Sequence, residues 1–213
     1  MIKKSIVLFC LIVGFIWLST SQVSADELLG TIDLNDDPNA NISEVLTFEE
    51  LTKQYAEDHD ITQEEAAVKL FGEPMQRKNA TSSTLTAEDF DVSPQSTYRT
   101  ISSIVRVTDE YSVTIRYYVE TTEGGSFRAI KEIKNVSLNR SWNGIVKLFD
   151  GDIFTYLENP NRIKYTISGD FYETGNQSES ITFGASGIIT VSYTTSKSSN
   201  YYAYLYREGY RLF

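Results

Sequence analysis

The chain reads as a mainly β protein: an antiparallel β-sandwich of about seven to nine strands, preceded by a short acidic helical hairpin. Three observations predict this. The hydrophobic period changes from helical to two near residue 98. Charge and tyrosine content change at the same place: residues 26–97 carry 17 acidic and 4 basic side chains, residues 98–213 carry 12 and 13, and 13 of the 14 tyrosines lie from Tyr98 onward. Turn residues then divide the second region into short segments, at "EGG", "NPN", "TGNQ", "SKSSN" and "REG".

Residues 1–25 have the form of a cleavable export signal. Lys3 and Lys4 precede the apolar run "SIVLFCLIVGFIWL", and Val23 and Ala25 stand where a signal peptidase reads, so cleavage after Ala25 and an extracellular location are expected. The run is too short for a stable membrane helix, so no stable transmembrane span is expected after cleavage. Cys10 leaves with the signal, and the rest of the chain then forms neither a disulfide nor a thiolate site.

Residues 26–46 read as an acidic, solvated tail. Within it, Asp33, Asn35, Asp37, Asn39, Asn41 and Glu44 fall on the rhythm of a calcium loop. Pro38 occupies the position that needs glycine for the sharp turn, and Ala40 the usual β-branched position, so no metal site is expected. Millimolar calcium should therefore leave the melting temperature unchanged, and a rise abolished by Glu44→Ala would overturn that reading.

Residues 47–72 carry two helix signals. Thr47 with Glu50, and Thr62 with Glu65, form capping boxes ahead of "FEELTKQYAEDH" and "EEAAVKLF". Phe48, Leu51 and Tyr55 share one helical face, and Gly72 and Pro74 end the second helix. Residues 73–97 read as a linker, whose Ser/Thr-rich part, 78–97, limited proteolysis should nick first. The remainder, 98–213, reads as the β-domain and is expected to fold alone.

In that domain "YSVTIRYYVE" puts Tyr111, Val113, Ile115, Tyr117 and Val119 on one face, and "RIKYTISGDFY" groups Ile163, Tyr165, Ile167 and Phe171. "NYYAYLYR" places Tyr202, Tyr204 and Tyr206 on one face, about 7 Å apart, opposite Tyr201, Ala203 and Leu205. If the compact set is core, the three tyrosines turn outward as a ladder suited to stacking on a sugar or a protein; the preferred alternative is that a neighbouring strand or the helical hairpin covers that face and the hydroxyls reach solvent.

The segment "VSLNRSWNGIVKLFDGDIFTYLENPNRIKYTISGDFYETG", joined to the tyrosine-rich ending, resembles small secreted proteins of Gram-positive bacteria whose C-terminal domain is of unknown function. The resemblance covers about the last hundred residues. It implies an extracellular β-domain and brings no catalytic residue with it.

The residue inventory excludes several chemistries. One histidine, His59, read here as a surface residue among carboxylates, rules out a multi-histidine zinc site within one chain. The acidic balance argues against nucleic acid. Asp150, Asp152, Glu158, Asp170 and Glu173 raise the glycosidase question, but the Asp–Gly–Asp and Gly–Asp contexts read as turns. The expectation is a secreted, non-catalytic binding module with no cofactor and no metal. Its candidate ligand-binding residues are Tyr202, Tyr204, Tyr206 and Trp142, and its candidate partners are a cell-wall glycan or an extracellular protein. A membrane-acting β-protein of toxin or bacteriocin type is the rival, since amphipathic strands and aromatic belts suit an interface. A hydrolase with an unrecognised site is third.

Overall fold

A computed structural model describes residues 41–74, 86–90, 92–93, 95–184 and 187–213, with the backbone alone at 197–199. Residues 1–25, read above as an export signal, and positions 33–40 of the calcium-like loop lie outside the described residues. Among the described residues no helix is long and apolar enough to cross a membrane.

Both capping boxes form. Helix α1 (Phe48–His59) starts at Thr47, whose backbone N–H donates to Glu50 at 2.8 Å, and α2 (Gln63–Phe71) starts at Thr62 in the same way, at 3.0 Å from Glu65. Each cap satisfies orphan N–H groups of the first turn, which lets two short helices stand against a tight corner. Asp60 supplies that corner in a left-handed conformation, φ 53°.

Among the described residues eight strands follow: β1 (Thr97–Arg106), β2 (Ser112–Gly124), β3 (Phe127–Asn139), β4 (Ser141–Trp142), β5 (Ile145–Val146), β6 (Leu148–Asn159), β7 (Arg162–Phe183) and β8 (Ile189–Leu212). Strands β1, β2 and β3 make one antiparallel sheet in sequence order. Strands β4 and β5 form a miniature hairpin about Asn143 and Gly144, at φ 50° and 79°, the pairing that a two-residue primed turn demands. Strands β6, β7 and β8 close on one another, each pairing antiparallel with the other two.

The arrangement is sandwich-like and β-rich, with the main core between the two large sheets. Ile101, Val113, Ile115 and Tyr117 from the first sheet meet Phe149, Ile153, Tyr165, Ile167 and Phe171 from the second, all at 1 % exposure or less. A second core lies on the other side of the first sheet. There Phe48, Leu51, Tyr55, Ala66 and Leu70 of the helices pack on Tyr98 and Tyr118, which point away from the main core because strand side chains alternate.

Two segments assigned above to tail and linker are more ordered than expected. Residues 41–46 run against β1: Ile42 bridges Ile101, Leu46 bridges Tyr98, and the Leu46 N–H donates to the Tyr98 carbonyl at 2.8 Å. Ala87–Phe90 form a 3₁₀ turn that buries Phe90 against Phe48, with ring centroids 5.6 Å apart. In both places a few apolar residues in a polar stretch reach a core that sequence periodicity does not announce.

Three of the expected turns are also not turns. "TGNQ" lies within β7, and "SKSSN" and "REG" lie within β8, so these two strands form one hairpin of 22 and 24 residues. Its halves straddle β6: Leu148–Asn159 pairs with Arg162–Tyr172 on one side and with Ile189–Tyr193 on the other. Around "TGNQ" and "SKSSN" the register is irregular, at Phe171/Tyr172 and Thr174/Asn176, where bulges let a strand bend without ending, whereas "REG" pairs in regular register with Tyr165–Ile167.

The crossing point of this wrap is built from glycine. Gly151 pairs with both Gly169 and Tyr193, and Gly169 pairs with Leu205. A Cβ added at Gly169 would lie 2.4 Å from the Asp150 carbonyl oxygen and 2.6 Å from Phe149 Cε2; one at Gly151 would lie 2.2 Å from the Ser168 carbonyl oxygen. The Phe149 ring occupies the space that two side chains would fill.

Candidate functional site

Because Phe149, Gly151 and Ile153 face the core, Asp150, Asp152 and Phe154 face outward on β6. On β7 the outward residues are Ser168 and Asp170, and on β8 they are Tyr204, Tyr206, Glu208 and Tyr210. Register sets them in rows. Asp150 lies opposite Asp170, which lies opposite Tyr204; Asp152 lies opposite Ser168, which lies opposite Tyr206. Tyr204 and Tyr206 are 56 % and 50 % exposed. The hydroxyls of Tyr204 and Ser168 are 3.2 Å apart, and the Tyr206 hydroxyl donates to Glu208, which pushes that phenol's pKa up.

The tyrosine ladder is present in part and shifted. In the pairing of β7 with β8, Phe171 faces Ala203 and Tyr172 faces Tyr201, so Tyr202 is the extra residue of a bulge. A bulge re-aims the side chains that follow strict alternation elsewhere. Tyr202 turns in: its ring packs edge-on to Tyr111 at 5.7 Å, its hydroxyl sits 3.0 Å from Thr108 Oγ1, and Lys147 Nζ lies 4.4 Å over its face. Tyr201 turns out in its place, 61 % exposed, with its ring edge-on to Tyr172 at 6.2 Å. The exposed set among the described residues is therefore Tyr201, Tyr204, Tyr206 and Tyr210, with Tyr172 half-buried beside Tyr201, and not Tyr202, Tyr204 and Tyr206.

Trp142 is likewise not part of this face. It is half-buried in β4 and packs on the core between the sheets, the opposite side from the outward rows. Its place in "NRSWNG" reflects the primed turn at Asn143–Gly144, and the ring is the anchor of that small hairpin.

The five carboxylates separate into two kinds. Glu158 pairs with Arg162 and Glu173 with Lys147, and these are ordinary ion pairs. The three aspartates are not in turns, contrary to the sequence reading: Asp150 and Asp152 lie within β6 and Asp170 within β7. The adjacent glycines serve the Phe149 crossing and not a reversal of the chain. Asp152 accepts from Ser192 Oγ at 2.5 Å and Asp150 from the Thr195 N–H at 3.3 Å. Asp170 has neither a hydrogen bond nor an ion pair among the described residues. Like charges directly opposite on a sheet sit about 4.5–5.5 Å apart at Cβ and destabilise it. Partial burial, then the Asp170 and Asp150 carboxylates, raise the pKa of the Tyr172 phenol.

His59 is not a surface residue. It is half-buried, stacked on Tyr55 with ring centroids 4.1 Å and planes 21° apart, and its Nε2 is buried without a hydrogen-bond partner. Two cavities of about 480 Å³ each meet at His59 and Glu179, along the seam between the helices and the strands. Among the described residues no group of three or more His, Cys, Asp or Glu is placed to hold a metal ion.

No protein-family model, no curated protein and no solved structure matches this chain.

Proposed function

We propose that the protein is a secreted, non-catalytic binding module that uses the outer face of β6, β7 and β8. The observation that carries this reading is the row of exposed tyrosines, Tyr201, Tyr204 and Tyr206, standing beside the opposed Asp150 and Asp170 carboxylates. Tyrosine offers a large amphipathic surface at low entropic cost, and carboxylates accept from ligand hydroxyls. A polyhydroxylated ligand such as a cell-wall glycan satisfies both, with sugar faces on the rings and hydroxyls on the aspartates. An acid catalyst needs a pocket dry enough to keep its proton, and an open sheet face does not provide one, which favours binding over hydrolysis.

Removing both rings of the Tyr204→Ala/Tyr206→Ala double variant should weaken binding to purified bacterial cell-wall glycan tenfold or more, since exposed tyrosines losing water on contact contribute about 1–2 kcal/mol each. The melting temperature should hold within about 1 °C, because rings that are half exposed leave no core cavity. Unchanged binding in a folded double variant rejects this face. Absence of glycan binding by the parent protein rejects the ligand class, and release of dye from liposomes would favour the membrane-acting reading.

A further inference from the structure

The helical hairpin is held on the first sheet by a compact set of polar contacts at its α1–α2 corner. Asp58 pairs with Arg116 of β2 and accepts from the Tyr118 hydroxyl at 2.6 Å. Asn135 of β3 donates to the Tyr55 hydroxyl at 3.1 Å and to the Lys69 carbonyl at 3.4 Å. His59, the chain's one histidine, completes the corner, lying flat on Tyr55 with Nε2 sealed and unpartnered. The far end of the hairpin is tied separately, by the Leu46–Tyr98 backbone bridge.

We propose that His59 is an acid-responsive latch: neutral, it lets the corner of the helical hairpin lie against β2 and β3, and protonated, it loosens that corner and uncovers Tyr118 and Asn135. An uncharged imidazole loses water at modest cost, whereas an imidazolium buried without a partner does not. The charged groups around it come from every neighbouring element. Glu57, Asp58 and Asp60 belong to α1 and its cap, Lys69 to α2, Arg116 to β2, Arg140 to the β3–β4 link and Glu179 to β7.

Of these, Asp58 favours the cation, but its carboxylate is already engaged by Arg116 and Tyr118. Burial holds the His59 pKa below its usual value, and Lys69 and Arg116 act in the same direction. A released histidine, with an ordinary pKa near 6.5, therefore takes up its proton first. Docking stability from this group is complete above about pH 6.5, falls as the pH drops through that value, and stops falling below the docked pKa. Glu179 acts with the opposite sign. Burial raises its carboxyl, so the docked form takes that proton first on acidification.

The test is hydrogen exchange of the α1 amides in the full chain, corrected for the intrinsic rate, at pH 7.5 and 5.5. Protection in the parent should fall on acidification, by up to about tenfold over this range, because pH 5.5 lies about one unit below the ordinary pKa of about 6.5. His59→Phe keeps the ring stack without the proton and should be flat over that range. Glu179→Gln removes the opposing group and should show at least the parent's decline. A flat parent profile, or an equal decline in His59→Phe, overturns the latch. If His59→Phe does not fold, the lone imidazole Cε1–H resonance of the parent decides the matter. A titration midpoint below 6.5 supports the latch, and one at or above it overturns it.

Discussion

Gly169→Ala is expected to cost about 3 kcal/mol or more and to lower the melting temperature by about 6–12 °C. The added methyl group would lie 2.4 Å from one backbone oxygen, 2.6 Å from Phe149 and 2.7 Å from the Gly151 Cα. None of these is the free end of a flexible side chain. Phe149 is held by Phe171 and Tyr193, with ring centroids at 4.9 Å and 5.7 Å, so the ring cannot swing aside without opening the main core. Two strands would have to separate instead, at the point where β6, β7 and β8 converge. Gly124→Ala is the control, because nothing lies within 4 Å of its added carbon, and a change within about 0.5 kcal/mol is expected there. Equal melting temperatures for Gly169→Ala and the parent protein would mean that the glycine crossing is looser than described.

Tyr55→Ala is expected to cost about 3–5 kcal/mol, the range for removing a large buried ring. Tyr55 is fully buried, edge-on to Tyr118 at 4.7 Å and flat against His59. Burial, with Glu179 and Asp58 nearby, raises its phenol pKa well above the usual range, so it docks as a neutral group. Tyr55→Phe should cost only about 1 kcal/mol, since it removes one hydrogen bond and keeps the ring. Urea unfolding followed by circular dichroism separates the two cases, and a loss under 1 kcal/mol for Tyr55→Ala would show that the hairpin is not gripped through this ring. The same contacts bear on the proposal that residues 98–213 fold alone. Such a fragment would have to expose Tyr98 and Tyr118, which are 1 % and 0 % exposed in the full chain.

The parts of the fold legible in the sequence are those set by local periodicity and capping. Thr47–Glu50 and Thr62–Glu65 mark the helix starts, and Tyr111 to Val119 and Ile163 to Phe171 mark strand faces that the structure places in one core. The parts that escaped depend on register between distant segments. No property of "NYYAYLYR" itself indicates that Tyr202 is a bulge residue; that follows from its pairing with Phe171 and Tyr172 some thirty residues earlier. The Asp150–Asp170 opposition has the same origin, since neither residue signals the other along the chain. Local grammar also misled at Gly151 and Gly169, where glycine beside aspartate suggests a reversal and the structure uses it for close approach of strands.

The long β7–β8 hairpin has a consequence for how the chain reaches this fold. A slip of two residues between strands of this length keeps every side chain on its proper face, so alternation alone does not select one register. The bulge at Tyr202 and the glycine crossing under Phe149 each fit in one alignment only, and they act as stops on a zipper. Pairing of β6 with Ile189–Tyr193 also joins segments about forty residues apart, which places folding among the slow, non-local cases of milliseconds to seconds. During that interval a misaligned hairpin remains open to the solvent with its apolar face unfilled. The positions most sensitive to folding yield should therefore be these register stops, even where a substitution leaves the finished core intact.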